Sequence, residues 1–253
     1  MEGGSIVKGF IKITQIEWKL NNRNFLNLFF ALVFPVMMLL LFGTMYGNEP
    51  SEFMGGYGGV DASIAGYICI IIAVSGLMTL PLTLAQYREK KILKRFRATP
   101  IKPLEILLSQ LVVNTITTFI GMALLIIVGK IIFDLHYFGN VIEGIIAFII
   151  ILLSVFSIGL FIAGVSKNAK MATAISYIIY FPMLFLSGAT MPLQMMPQSI
   201  INLSKILPLT YGVELFKGVW LGDNLMDYTN ELLILIGITI VLTTLSIKYF
   251  KWE

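Results

Sequence analysis

The stretch Gln86–Pro103, reading QYREKKILKRFRATPIKP, holds seven of the eighteen Lys and Arg residues in a chain of 253. At about 100° per residue on a helix, Arg88, Lys90, Lys91, Lys94, Arg95 and Arg97 take one side. Ile92, Leu93 and Phe96 take the other, with Glu89 among them. A cluster that only set membrane orientation needs charge and no second face. The sorting therefore predicts a docking helix. Its Ile92/Leu93/Phe96 ridge suits an apolar groove of a partner, its basic face suits acidic rims or lipid phosphates, and Glu89 is placed to pair with a partner Arg.

Little else in the chain could do chemistry. Cys69 is the single cysteine and lies in an apolar run, so no disulfide framework exists, and the single His136 excludes the usual histidine metal clusters. Asp134 and His136 together are too few for a site. Gly129-Lys130 is the only Gly-Lys pair; it lacks the earlier glycine of a P-loop and is followed by Ile131. No GxSxG or HExxH pattern and no carboxylate pair within an apolar run is present. Glu105, Glu143 and Glu231 fall at the ends of apolar runs, whereas ion-coupled carriers place ionisable groups deep in the bundle. No catalytic, cofactor-binding or metal-binding residue is expected. If this chain moves a substrate, its energy enters from outside, and the basic stretch is the expected entry point.

The elements that position this stretch are written in the hydropathy. Hydrophobic residues make up 57% of the chain and charged residues 13%, against roughly 45–50% and 25% in soluble domains. The sequence is that of an all-α integral membrane protein. Six apolar stretches, 25–46, 63–85, 105–133, 140–165, 171–190 and 231–248, each approach the ~20 residues a helix needs to cross a bilayer. Pro35, Pro81 and Pro182 lie inside spans and mark expected kinks. The first apolar run starts near Phe25, is too long for a signal-peptide core and has no small-residue cleavage site.

Residues 1–24 read as an amphipathic interfacial helix. Lys8, Lys12, Gln15 and Lys19 form one stripe, Ile6, Phe10, Ile13 and Leu20 lie opposite with Trp18 at the edge, and Glu17 is the one misplaced charge. Residues 25–253 read as one six-helix domain, with no internal repeat or linker. Fifteen of the eighteen Lys and Arg residues fall in 1–24, 86–103, 166–170 and the tail, leaving Lys130, Lys205 and Lys217 on the other side. That asymmetry predicts both termini in the cytoplasm. It also explains the net charge of +4 without nucleic acid as a partner. On the outer side, Asn48–Asp61 with its GGYGG run is expected to be a loose loop. The segment 187–230 is apolar but broken by Pro192, Pro197 and Pro208, leaving short helices near 197–206 and 211–221 that are too short to cross. They are expected as re-entrant elements, with Glu214 and Lys217 paired at i, i+3.

Three stretches carry a resemblance that covers nearly the whole chain. Arg88-Glu89-Lys90, followed by Leu93, Arg95 and Thr99-Pro100, is similar to the Arg-Glu-Lys-Gly-Thr…Thr-Pro pattern of the ABC-2 family of transporter permeases. Leu186-Ser187-Gly188 through Met191-Pro192 and Pro197 is the second, and Leu207-Pro208-Leu209-Thr210-Tyr211 resembles the family's Pro-Leu-Thr-Tyr. Lys91 and Ile92 stand where the family often has Gly-Thr, so local contacts there differ.

The resemblance implies the transmembrane subunit of an exporter in a bacterial plasma membrane. It implies two permease chains, identical or different, and two ABC ATPase subunits that bind the ATP and Mg. Arg88, Glu89, Lys90, Ile92, Leu93, Arg95, Phe96, Thr99 and Pro100 would then belong to a coupling helix seated in the ATPase. Gly188, Pro192, Pro197, Pro208, Tyr211, Glu214 and Lys217 would belong to short helices dipping in from outside. The cargo expected is hydrophobic or amphipathic, such as a drug, antibiotic, peptide or lipid-like molecule. Polysaccharide or teichoic-acid export is the alternative within the family. A stand-alone channel or ion-coupled carrier, and a membrane scaffold or immunity protein, are the alternatives outside it.

Overall fold

The computed structural model of the chain describes residues 2–92 and 103–249, and among these every regular element is helical. The N-terminal helix Glu2–Asn22 ends in the polar run Asn21–Asn24. Asn24 opens the next helix by accepting from the Asn27 N–H at 3.3 Å, satisfying a donor with no intrahelical partner. Among the described residues, six helices then have the length and apolar content to cross a membrane. They are Phe29–Tyr46, Gly59–Glu89, Glu105–Phe133, Val141–Val165, Ala169–Leu186 and Leu225–Lys248, the first to sixth spans below. They match the stretches read from hydropathy, except that the second begins early enough to include Asp61 and runs on through Arg88 and Glu89. The 29 residues of the third reach about 43 Å, longer than a ~30 Å hydrocarbon layer.

The second span is the core of the bundle. Ile64, Ile68, Ile71, Leu77, Leu80 and Leu84 are all inaccessible, as befits a helix that is apolar on every side. It packs against the first, third and fourth spans. The outward faces of the others stay apolar, with Leu41, Ile131, Ile178 and Ile240 more than half exposed, which suits contact with lipid.

Two of the three span prolines sit just beyond π-helical turns: Phe29–Val33 precedes Pro35, and Val74–Thr79 precedes Pro81. Proline removes an N–H and crowds the preceding turn, and a widened turn absorbs both effects. The second of these turns also makes a close helix crossing. A Cβ built on Gly159 of the fourth span would lie 1.9 Å from the Gly76 carbonyl oxygen, so backbone meets backbone there and only glycine fits.

Between the fifth and sixth spans lie the short helices Gln198–Ser204 and Pro208–Leu221. The second opens on Pro208 and closes on Gly222 at φ 105, a left-handed C-cap. Leu209, Leu215 and Val219 are inaccessible, because this helix is wedged among the second, fourth and sixth spans. It is thus an embedded element, not a helix resting on the surface.

Two outer-side expectations change. The Glu214–Lys217 pair does not form. Glu214 is exposed in the field of Glu231 and Lys205, whereas Lys217 turns into the crevice between Ala62, Gly66 and the Gly188–Pro192 turn. Residues three apart differ by about 60° around a helix, which suffices to send the two side chains to different surroundings. Asn48–Asp61 is likewise tied down. The Asn48 side chain accepts from the Asp61 N–H at 2.9 Å and donates to the Phe133 carbonyl at 3.0 Å, and Tyr57 Oη donates to the Leu221 carbonyl at 3.1 Å. The buried Asp61 carboxylate accepts from the His136 N–H at 2.9 Å and from Asn48 Nδ2 at 3.1 Å. Asp61 therefore joins Asp134 and His136 in a cluster that holds the loop after the first span to the turn after the third.

Candidate functional site at the basic end of the second span

The second span ends at Glu89, with Lys90 and Lys91 in a turn. Lys91 has φ 55, a left-handed conformation that a residue with a Cβ adopts at a cost of roughly 1–2 kcal/mol. A continuous helix from Gln86 is therefore not formed, and the face on which Arg88 and Lys90 were sorted with later residues stops here. Lys90 is exposed and Ile92 half-buried. Leu93, Arg95, Phe96, Thr99 and Pro100, the rest of the expected docking ridge and motif, lie outside the described residues.

The last residues before that turn each hold a different element. Tyr87 Oη donates to Glu17 Oε2 of the N-terminal helix at 2.5 Å. Arg88 Nη1 donates to the Ser166 carbonyl at 2.8 Å and Nη2 to the Ala163 carbonyl. Glu89 Oε2 accepts from the Ala169 N–H at 3.0 Å. The chemistry suits the helix ends involved. Ala163 and Ser166 lie where the fourth span leaves carbonyls without intrahelical donors, and Ala169 is the first residue of the fifth, where N–H groups lack acceptors. A cation at a helix C-terminus and an anion at an N-terminus are each worth about 0.3–1 kcal/mol through the helix dipole, and the planar guanidinium reaches two carbonyls at once. Asn168 supplies the conventional cap of the fifth span, accepting from the Met171 N–H at 2.8 Å. The turn between the fourth and fifth spans is thus gripped from both sides by Arg88 and Glu89.

Glu17 makes the matching attachment on the other side. It is 5% exposed, and its Oε2 also accepts from Gln110 Nε2 of the third span at 2.5 Å. Burial pushes its carboxyl above the ordinary range, opposed by the hydrogen bonds from Tyr87 and Gln110. One turn on, Asn21 Nδ2 donates to Thr117 Oγ1 at 3.0 Å. Gln110, Asn114 and Thr117 are buried and fall at i, i+4 and i+7, a polar stripe on the third span that receives the N-terminal helix. The sequence carried the signal: one acid on the apolar side of a helix whose other face is basic, and polar residues at helical spacing within an apolar run.

At the opposite end of the bundle, an apolar groove of about 290 Å³ opens between the third and fourth spans, walled by Phe119, Ile126, Phe148 and Trp220. Tyr137 and Trp220 close its rim edge to face, with ring centres 4.7 Å apart, and the indole N–H donates to the His136 carbonyl at 3.1 Å. Gly188 at φ 86 turns the chain sharply after the fifth span, and a Cβ on Gly66 of the second span would lie 2.4 Å from the Ala189 carbonyl oxygen. Tyr211 Oη donates to the Lys205 carbonyl at 2.6 Å, bracing the link that Pro208 ends, while Pro192 and Pro197 bound the link before Gln198–Ser204. Gly188, Pro192 and Lys217 thus line one crevice, which Glu214 does not enter.

These features define a polytopic helical membrane protein whose 253 residues contain no P-loop and whose basic turn ties four elements together. The sequence profile of the ABC-2 type transporter family matches residues 9–221, and the chain belongs to that family. It is 27% identical over 163 residues to "Probable multidrug ABC transporter permease YbhS" of Escherichia coli K12, covering 64% of this chain and 43% of that protein. It is 22% identical over 189 residues to "Probable multidrug ABC transporter permease YbhR" of the same strain, covering 74% and 51%. A third relative, "ABC transporter G family member 20" of Dictyostelium discoideum, is 23% identical over 185 residues, covering 73% and 24%. The matched region spans about half the length or less of these relatives.

Proposed function

We propose that this chain is the membrane-spanning subunit of an ATP-driven exporter, working as a pair of permease chains with two ABC ATPase subunits that bind ATP and Mg. The basic end faces the cytoplasm, as the fifteen-to-three distribution of Lys and Arg supports. The observation that carries the proposal is the grip of Tyr87, Arg88 and Glu89 on the N-terminal helix and on the fourth and fifth spans. A force on the residues that follow Lys91 reaches all of these elements through one turn. The absence of a P-loop and membership of the ABC-2 type transporter family supply the reason such a force comes from a partner. Leu93, Arg95, Phe96, Thr99 and Pro100 are assigned to the ATPase contact, with Arg88 and Glu89 relaying it inward.

The cargo is hydrophobic or amphipathic. The wholly apolar groove at the outer end and the "multidrug" designation of the Escherichia coli relatives support this over a polysaccharide, which calls for polar lining. The test is reconstitution with the cognate ATPase in liposomes and measurement of ATP-dependent export of a lipophilic dye. Dye transport by the purified chain alone, without ATP, would overturn the proposal.

A further inference from the structure

The N-terminal helix and the third span do not close against each other along their whole contact. Beside the Glu17–Gln110 attachment they leave an open groove of about 500 Å³, walled by Thr14, Gln15, Trp18 and Lys19 on the helix and by Val113 and Ile116 on the span. The two walls differ in chemistry. Lys19 and Gln15 are exposed and polar, and Lys12 continues the same stripe seven residues earlier. Lys12 and Lys19 have no ion-pair partner among the described residues. Val113 and Ile116 lie ten and thirteen residues into the helix that starts at Pro103, or about 15–20 Å along it, beside the indole of Trp18. A ligand that fits must be anionic at one end and apolar along its length.

We propose that this groove binds an anionic phospholipid of the bilayer, its phosphate held by Lys19 and Gln15 and one acyl chain lying along Trp18 and the exposed Ile116, over the buried Val113. Charge complementarity selects the occupant. Basic side chains at a membrane surface attract anionic headgroups, Trp prefers the headgroup level, and the groove joins that level to the depth of the chains. The proposal stands on the membrane-embedded fold and not on the transport reading, so it can fail or hold independently of export.

The test uses the full chain with Trp220→Phe and Trp252→Phe, leaving Trp18 as the only indole, in nanodiscs containing brominated phosphatidylglycerol or brominated phosphatidylcholine in an unbrominated background. Brominated phosphatidylglycerol is expected to quench Trp18 at a several-fold lower mole fraction than brominated phosphatidylcholine. Lys19→Gln should weaken that preference about fivefold, the factor one Lys contributes at an anionic surface. Lys19→Arg should keep it, and Lys167→Gln, at the exposed turn between the fourth and fifth spans, should not change it. Native mass spectrometry of the same proteins should count phosphatidylglycerol retained by the parent and lost in Lys19→Gln. Equal quenching by both lipids, or an unchanged preference in Lys19→Gln, would overturn the proposal. So would protection of Trp18 that appears only on dimerisation, since a second copy would then fill the groove.

Discussion

Glu17 and Tyr87 lie seventy positions apart and meet at 2.5 Å. The acid belongs to the N-terminal helix and the phenol to the last turn of the second span, one residue before Arg88. The acid that stands on the apolar side of the N-terminal helix, opposite its lysine stripe, is therefore the point at which that helix is attached. Gln110 completes the attachment from the third span, so three elements share one carboxylate oxygen at the end of the bundle where the basic turn lies.

That attachment should respond to pH. The folded value of Glu17 is raised above its ordinary 4.5, so between the two values the folded state holds more protons than the unfolded state. Stability is then fully present below about pH 4.5 and falls as pH rises through the raised value. Glu17→Gln keeps an acceptor for Tyr87 and loses the pH dependence. Glu17→Ala leaves the Tyr87 hydroxyl and Gln110 amide without their acceptor, at a cost of about 1–3 kcal/mol. Thermal midpoints of the purified protein between about pH 4 and pH 8 measure both effects, and identical slopes for parent and Glu17→Gln would count against the assignment.

Arg88 acts through its fork. Lys offers one compact ammonium and cannot reach the Ala163 and Ser166 carbonyls in the same planar geometry. Arg88→Lys should therefore fold and insert but lose one of the two charge-assisted hydrogen bonds to the Ala163 and Ser166 carbonyls, each worth about 1.5–3 kcal/mol. The expected outcome is a drop of roughly tenfold in ATP-dependent transport with the partner ATPase still bound. Co-purification together with dye export separates this from loss of assembly.

The left-handed conformation of Lys91 gives a prediction with the opposite sign. Lys91→Gly relieves the Cβ penalty and should stabilise the turn by up to about 1 kcal/mol, less the extra entropy of glycine in the unfolded chain. Lys91→Ile should destabilise it by more than that, because a β-branched residue resists φ 55. Protease resistance of the 86–103 region under native conditions ranks the three proteins, and an order other than Gly, Lys, Ile sinks the reading.

The crossing of the second and fourth spans tolerates no methyl group. Gly159→Ala must push the Gly76 carbonyl away, and overpacking of this kind costs about 1–3 kcal/mol. Gly237 in the sixth span has open space around its Cβ position, so Gly237→Ala should be neutral or gain up to about 1 kcal/mol of helix propensity. Denaturation midpoints compared side by side test the pair.

The number and approximate limits of the spans, the broken segment before the last one and the chain's family were all legible in the amino-acid sequence. Hydrophobic length, proline breaks and basic loops are local properties, and a bilayer responds to local composition because each span must satisfy its own backbone. The resemblance also marked Lys91 as standing where glycine is frequent, and φ 55 at that residue supplies the physical reason. What only the tertiary structure decided is which groups meet. Arg88 and Glu89 read as members of a surface charge cluster, yet they bind the ends of the fourth and fifth spans 75 to 80 positions away. Glu214 and Lys217 read as a pair and face different neighbours. Glu17 read as misplaced and is an anchor. Helical periodicity assigns a side chain to a face, but the partner of that face depends on how six spans pack, and that packing rests on contacts between distant glycines, caps and buried polar groups.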